Sequence, residues 1–189
     1  MTSNQFCTQC GTKLKGDANF CTNCSVQQHI VDCAADAPFI RKNWEVKHHD
    51  RSLGQIVLDK SKLQLLVVST QLYSFRKFRK ELEGKALNAN VMAYLLQHPE
   101  LIPDADAWVH NDVFFWGTTY CDKTSFSHGP RLPSGYDVWV QFLTHRFGRW
   151  ERGSKLITCH WDPERARWGT DTEPIHRAAF WAENSSDNP

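Results

Sequence analysis

Four cysteines stand where a metal ion would need them. Phe6-Cys7-Thr8-Gln9-Cys10 recurs fourteen residues later as Phe20-Cys21-Thr22-Asn23-Cys24. Each Cys-x-x-Cys forms a turn whose backbone amides can point at the sulfurs, and two such pairs at this separation close one tetrahedral site. The pattern predicts a single structural Zn2+ on Cys7, Cys10, Cys21 and Cys24, with iron or an unmetallated segment as the alternatives. With every position filled by sulfur, no place remains for water or substrate, so the ion folds the module and catalyses nothing. Gly11 supplies the backbone freedom such a turn often needs, whereas Ser25 in the matching place predicts a less regular second turn. Gly16-Asp17 marks a hairpin between the pairs. Four thiolates on a divalent ion leave a formal charge of about −2, which outweighs Lys13 and Lys15 and makes the module a poor match for a polyanion.

Other residue groups offer weaker chemistry. Ser74 caps a helix in which Phe75, Phe78 and Leu82 share one face and Gly84 is the stop. Arg76, Lys77, Arg79 and Lys80 occupy the rest of it, either as a solvated face paired through Glu81 and Glu83 or as a phosphate-contacting helix. A second cluster, Arg146, Arg149, Trp150 and Arg152, interleaves cations with an indole around Gly148, which suits stacking on bases or on a partner's surface. Cys121, His128, Cys159, His160 and His176 match no ligand spacing, and Cys33, Cys121 and Cys159 read as buried thiols. Asp104, Asp106 and Asp112 lack the regular spacing of a cation loop. Hydrolase, phosphate-loop and dinucleotide fingerprints are all missing, so no reaction is indicated.

The elements that must carry these groups divide the chain unevenly. With 189 residues, 41% of them hydrophobic, there is room for one main core and a small satellite. The expected divisions are a ribbon over 1–25, a linker over 26–43, a tryptophan-rich α+β domain over 44–183 and a polar tail over 184–189. Ile56-Val57-Leu58 and the run 63–68 read as two strands around a turn, a helix over 63–73 being the alternative. Asn88 or Asn90 caps a helix with an apolar stripe of Val91, Met92, Leu95 and Leu96 that Pro99 ends. Leu101-Ile102-Pro103 follows as a buried strap. Val113-Phe114-Phe115-Trp116 reads as a central strand bulged at Gly117, and further strands are expected around 138–143, 155–161 and 178–181. The fold class is therefore α+β: a small ribbon tethered to an antiparallel sheet or small barrel packed against two helices. Seven of the eight tryptophans fall between Trp108 and Trp181, with Trp116 and Trp139 assigned to the core.

Residues 6–25, with Phe-Cys-x-x-Cys-Gly and then Phe-Cys-x-x-Cys, resemble the zinc ribbons found at the start of many bacterial proteins. Farther on, the run from Arg79 through Leu87-Asn88-Ala89-Asn90-Val91, Leu101-Ile102-Pro103 and Val113-Phe114-Phe115-Trp116-Gly117-Thr118-Thr119-Tyr120 to Gly148-Arg149-Trp150 resembles a group of short, uncharacterised bacterial proteins. This second likeness covers roughly residues 56–168. It implies one continuous domain and brings no functional residue with it.

Net charge is +1, but residues 41–85 carry about +6 and residues 86–130 about −4, so a polyanion would have to bind a local patch. No signal peptide or apolar run long enough to span a membrane is present, and a cytoplasmic, thiol-reducing setting is expected. The leading expectation is a non-enzymatic adaptor that recognises a protein partner. Nucleic-acid binding through the two basic clusters is the alternative, and an enzyme built around Cys121, His128, Cys159 and His160 comes third.

Overall fold

The computed structural model describes residues 6–7, 9–14, 20–39, 41–69, 82, 84–123, 136–162, 167–170 and 175–181, with backbone alone at 67–69, 136–137, 158–162, 167–170 and 175–181. Its elements run β1 (Ile30–Asp32), β2 (Trp44–His49), β3 (Gln55–Val57), β4 (Leu63–Ser69), α1 (Ala89–Gln97), α2 (Asp106–Val109), β5 (Val113–Asp122), β6 (Tyr136–Arg146), β7 (Arg149–Asp162), β8 (Arg167–Thr170) and β9 (Ile175–Trp181). The class is mixed α+β with antiparallel sheets. β4, β9, β5, β6, β7 and β8 lie side by side, β2 adds to β5, and β1 pairs separately with β3. Among the described residues no helix is long and apolar enough to cross a membrane.

β5 is the organising strand, as its sequence predicts. Val113 and Phe115 enter one core with Val91, Met92 and Leu95 of α1, while Phe114 and Trp116 enter a second with Val138, Val140 and Phe142. Burial of both faces is why the run carries no polar residue until Thr118. Register with β6 shifts between Phe114 and Thr119, so the bulge falls where Gly117 was expected to make it. The first half of β5 pairs in parallel with β9, and the second half pairs antiparallel with β2 along the same edge.

α1 begins where the caps predict. Asn88 Oδ1 accepts from the amides of Asn90 and Val91, and His98 ends the helix just before Pro99. Val91, Met92 and Leu95 are buried, each contributing roughly 1.5–3 kcal/mol of apolar burial. Leu96 is only partly buried against that core, and Ile102 of the expected strap is inside it.

Two expectations need correction. Residues 55–57 and 63–69 are strands, which excludes the helix alternative there, but they do not form a hairpin with each other. Asp59 caps a tight helical turn over Lys60–Lys62 that redirects the chain, so β3 pairs with β1 and β4 with β9. The connector expected over 26–43 holds β1, and its Val31 and Cys33 enter the main core beside Ile56 and Leu58. Three strand residues are too few to show a periodicity, and pairing with β3 supplies what local propensity does not. The helix expected over 74–84 lies outside the described residues apart from Leu82, which is helical and buried, and Gly84, whose φ of +72° suits a helix stop.

Candidate metal centre and the surfaces around it

The repeat seen in the sequence is a repeat of structure. Phe6 bridges to Lys13 and Phe20 to Gln27, fourteen residues on. Within each knuckle the first cysteine amide donates five residues ahead, Cys7 to Thr12 O at 2.8 Å and Cys21 to Val26 O at 3.0 Å. The turn is closed by the amides of Gly11 and Ser25, which donate back to Cys7 O and Cys21 O at 2.9 and 2.8 Å. Gly11 has a φ of 68° and Ser25 a φ of 59°, so the second turn is as regular as the first and Ser25 carries the strain. The hydrogen-bond pattern fixes that conformation whichever residue occupies it, and a side chain there costs about 1–2 kcal/mol. Ser25→Gly is therefore expected to tighten metal binding about fivefold, and Gly11→Ser to weaken it comparably, in competition with a chromophoric chelator. Unchanged affinity in both variants would refute the strain.

The four sulfurs converge within 4.8 Å of one another. Cys7 and Cys24 approach to 3.5 Å, as do Cys10 and Cys21. These separations are far too long for disulfides, and a tetrahedron with metal–sulfur bonds near 2.3 Å has edges of about 3.8 Å. The cluster thus fits a metal ion. N–H groups aim at the sulfurs: the Asn23 amide at Cys21 (3.4 Å), Asn23 Nδ2 at Cys10 (3.6 Å) and Gln28 Nε2 at Cys7 (3.5 Å). Sulfurs this close cannot all ionise unaided. Hydrogen bonds from Thr12, then Asn23, lower Cys10 to about 5; at Cys24 the Val26 amide is the largest single influence and lowers it, but desolvation and the three thiol neighbours together outweigh it and raise it to about 12. A bound cation removes that conflict by favouring thiolate at every position. Val57 of β3 packs against the buried Cys7, Leu14 and Cys21, which seats the module on the main domain.

The remaining candidates disperse. Arg76, Lys77, Arg79 and Lys80 lie outside the described residues, as do His128 and the Gly16-Asp17 turn, and the side chains of Cys159, His160 and His176 are not described. Phe147 and Gly148, at φ of 51° and 78°, make the two-residue turn between β6 and β7, and Arg146 pairs with Arg149 across it. Strand alternation divides the Arg/Trp cluster: Arg146 and Arg149 oppose each other on one face, where Arg149 is bound to Glu151, while Trp150 and Arg152 share the other, Trp150 against the main core beside His145 and Arg152 over the Phe39 ring. Cys33 and Cys121 are buried, as expected. Burial pushes Cys33 to about 12, and burial together with Glu45, which accepts the Cys121 thiol proton, raises Cys121, so neither is a nucleophile. Trp116 is core; Trp139 is half-buried and stacks on Trp44. Among the described residues the four cysteines are the one His/Cys/Asp/Glu group placed to hold a metal, and Asp104 is paired with Lys60.

Sequence reasoning missed a buried polar node beneath α1. Asn88 Nδ2 donates to Cys33 O and Asp50 O, both at 2.8 Å. Thr118 Oγ1 accepts from the Ala89 amide at 2.9 Å and lies 2.8 Å from His49 Nδ1. His49 Nε2 faces Ala35 O at 3.0 Å; a carbonyl only accepts, so Nε2 carries the proton and Nδ1 accepts from Thr118. Only the helix-cap half of Asn88 has a local sequence signature. Its donor half joins segments far apart in the chain.

No family model, curated protein or solved structure matches this chain.

Proposed function

We propose that the chain is a zinc-structured, non-enzymatic binding protein whose N-terminal ribbon docks on a protein partner. Zinc is favoured by the donor set, since four converging thiolates with closed tetrahedral spacing suit its geometry. The observation that carries the reading is a pair of outward aromatics at equivalent places of the repeat: Phe6 is 53% exposed and Phe20 59%. Val26 adds a third exposed apolar side chain. A metal-fixed surface that turns two phenyl rings to solvent suits an apolar patch on another protein, while the charge of the thiolate site disfavours a phosphate backbone.

The test uses the metal-loaded full chain as bait beside a Phe6→Ser/Phe20→Ser variant with the same metal content. The expected result is a protein that re-forms a binary complex when both components are purified, with affinity lowered at least about tenfold by the double substitution. An affinity indifferent to both rings would overturn the docking surface. Displacement of that partner by RNA or duplex DNA, with a steep salt dependence, would overturn the protein-partner reading.

A further inference from the structure

Residues 37–39 lie on the face of the sheet where Trp44, Tyr120 and Trp139 pack, and Tyr120 Oη donates to Pro38 O at 3.0 Å to hold them there. This placement brings two arginines together. Arg41 lies over the Trp44 ring at 4.5 Å and donates from Nη2 to Ser154 Oγ at 2.9 Å. Arg152 lies over the Phe39 ring at 3.9 Å. Ser154 and Arg152 are two residues apart on β7, so their side chains leave the same face about 7 Å apart, and Arg41 is held one pleat from Arg152.

Both guanidiniums are exposed, and among the described residues neither pairs with a carboxylate, whereas Arg51, Lys60 and Arg149 each do. Burial, then the charge of Arg41, lowers the pKa of Arg152, as expected of a cation facing another cation. Phe39, the platform for Arg152, has a φ of 65°, a left-handed conformation that a bulky residue adopts only where its surroundings hold it. A guanidinium lying on an aromatic ring is oriented in advance, with its edge N–H donors turned outward.

We infer that Arg41 and Arg152 form an oxyanion site that takes a phosphate group, as a monoester or a diester. Two planar forks converge on several oxygens at once, which suits a tetrahedral anion better than a single carboxylate. The anion also relieves the repulsion between the two cations. In the chain Arg152 neighbours Arg146, Arg149 and Trp150; the fold pairs it with Arg41, more than a hundred residues away. The site lies in the sheet domain and does not depend on the ribbon's docking role.

The test titrates the 15N-labelled, metal-loaded full chain with inorganic phosphate, and separately with acetate, at constant ionic strength. Saturable shifts of the Arg41 and Arg152 Nε–Hε signals with phosphate are expected. Arg41→Gln and Arg152→Gln should each weaken binding at least about tenfold, and the lysine variants by less, because the point charge survives without the fork. A short oligothymidylate that binds more tightly than phosphate, with a steep salt dependence, would assign the site to a diester backbone, and equal affinity would assign it to a single phosphate group. The proposal is overturned if neither arginine responds saturably in the wild-type chain, if acetate matches phosphate, or if folded glutamine variants bind as before. The wild-type titration decides even where a variant fails to fold.

Discussion

Stripping the metal with a strong chelator is expected to unfold residues 6–27 and leave the sheet domain standing. Among the described residues of the module the buried apolar groups are Leu14 and two of the cysteines, far less than about twenty residues need in order to fold unaided. On the proposed reading, metal binding supplies most of the module's folding free energy, about 10–16 kcal/mol for a structural zinc site near neutral pH. The loss should stay local, because β1 and β3 pair with each other and their Val31 and Ile56 belong to the main core. What the sheet domain loses is the cover over Val57 and the Gln28 contact with Cys7, a small part of its burial. In an amide spectrum the signals of 6–27 should collapse on chelation and return with one equivalent of zinc, while those of β5 and β6 stay put. Cooperative loss of both regions would mean that the module is integral to the core. An unchanged spectrum would mean that the cysteines hold no structural metal. Affinity should fall as pH falls, since protons compete for all four sulfurs.

What was legible in the sequence follows a physical division. The metal ligands, α1 with its Asn88 cap, and β5 with its bulge at Gly117 are written locally, in spacing, capping and apolar runs. Partners are not. Nothing near Ile56 says that it pairs with Val31, because a three-residue strand has no period and takes its conformation from the strand beside it. Arg152 reads as part of a basic turn because it neighbours Arg149 and Trp150 in the chain. Strand alternation nonetheless puts Arg149 and Arg152 on opposite faces, and a distant segment supplies Arg41. The Asn88-Ala89-Asn90 and Trp116-Gly117-Thr118 motifs could be recognised as patterns long before their reason was visible. They meet in space: Asn88 and Ala89 bond to Asp50, Cys33 and Thr118, and Asn90 Nδ2 donates to Asp32 O and Ala35 O at 3.0 and 2.9 Å. The motifs serve here to join α1, β2 and β5.

That junction should be the most sensitive place in the sheet domain. Asn88→Asp discriminates its two roles, because aspartate caps a helix as well as asparagine does, and a cap-only residue would lose almost nothing. A carboxylate, however, cannot donate. Cys33 O and Asp50 O would lose their Asn88 donor and face an anion instead, at roughly 1–3 kcal/mol for each bond lost. Asn88→Asp is thus expected to destabilise by about 3 kcal/mol or more, at least as much as Asn88→Ala. Gly117→Ala attacks the junction from the strand side. A Cβ there would lie 2.7 Å from Ala86 O and 2.9 Å from Asn88 N, backbone atoms that cannot rotate away, and a loss of about 3 kcal/mol is expected. Urea unfolding of the metal-loaded chain measures both, and an Asn88→Asp variant as stable as wild type would show that the donor bonds contribute nothing. Acid should loosen the same place. Burial lowers the pKa of His49, so the stability its neutral ring contributes is full above about 6.5 and is lost as pH falls below that value. Asp50 adds a lower step: burial raises its pKa, but the bonds from Ser52 and the Gly84 amide (2.8 Å) more than offset this and hold it below the usual carboxylate range. Its contribution is therefore present above about pH 4 and is lost only in stronger acid, as pH falls through the lowered value. His49→Gln should flatten the upper step and leave the lower one, and Asp50→Asn the reverse. A stability profile in which neither substitution changes its own step would mean that the acid sensitivity lies elsewhere.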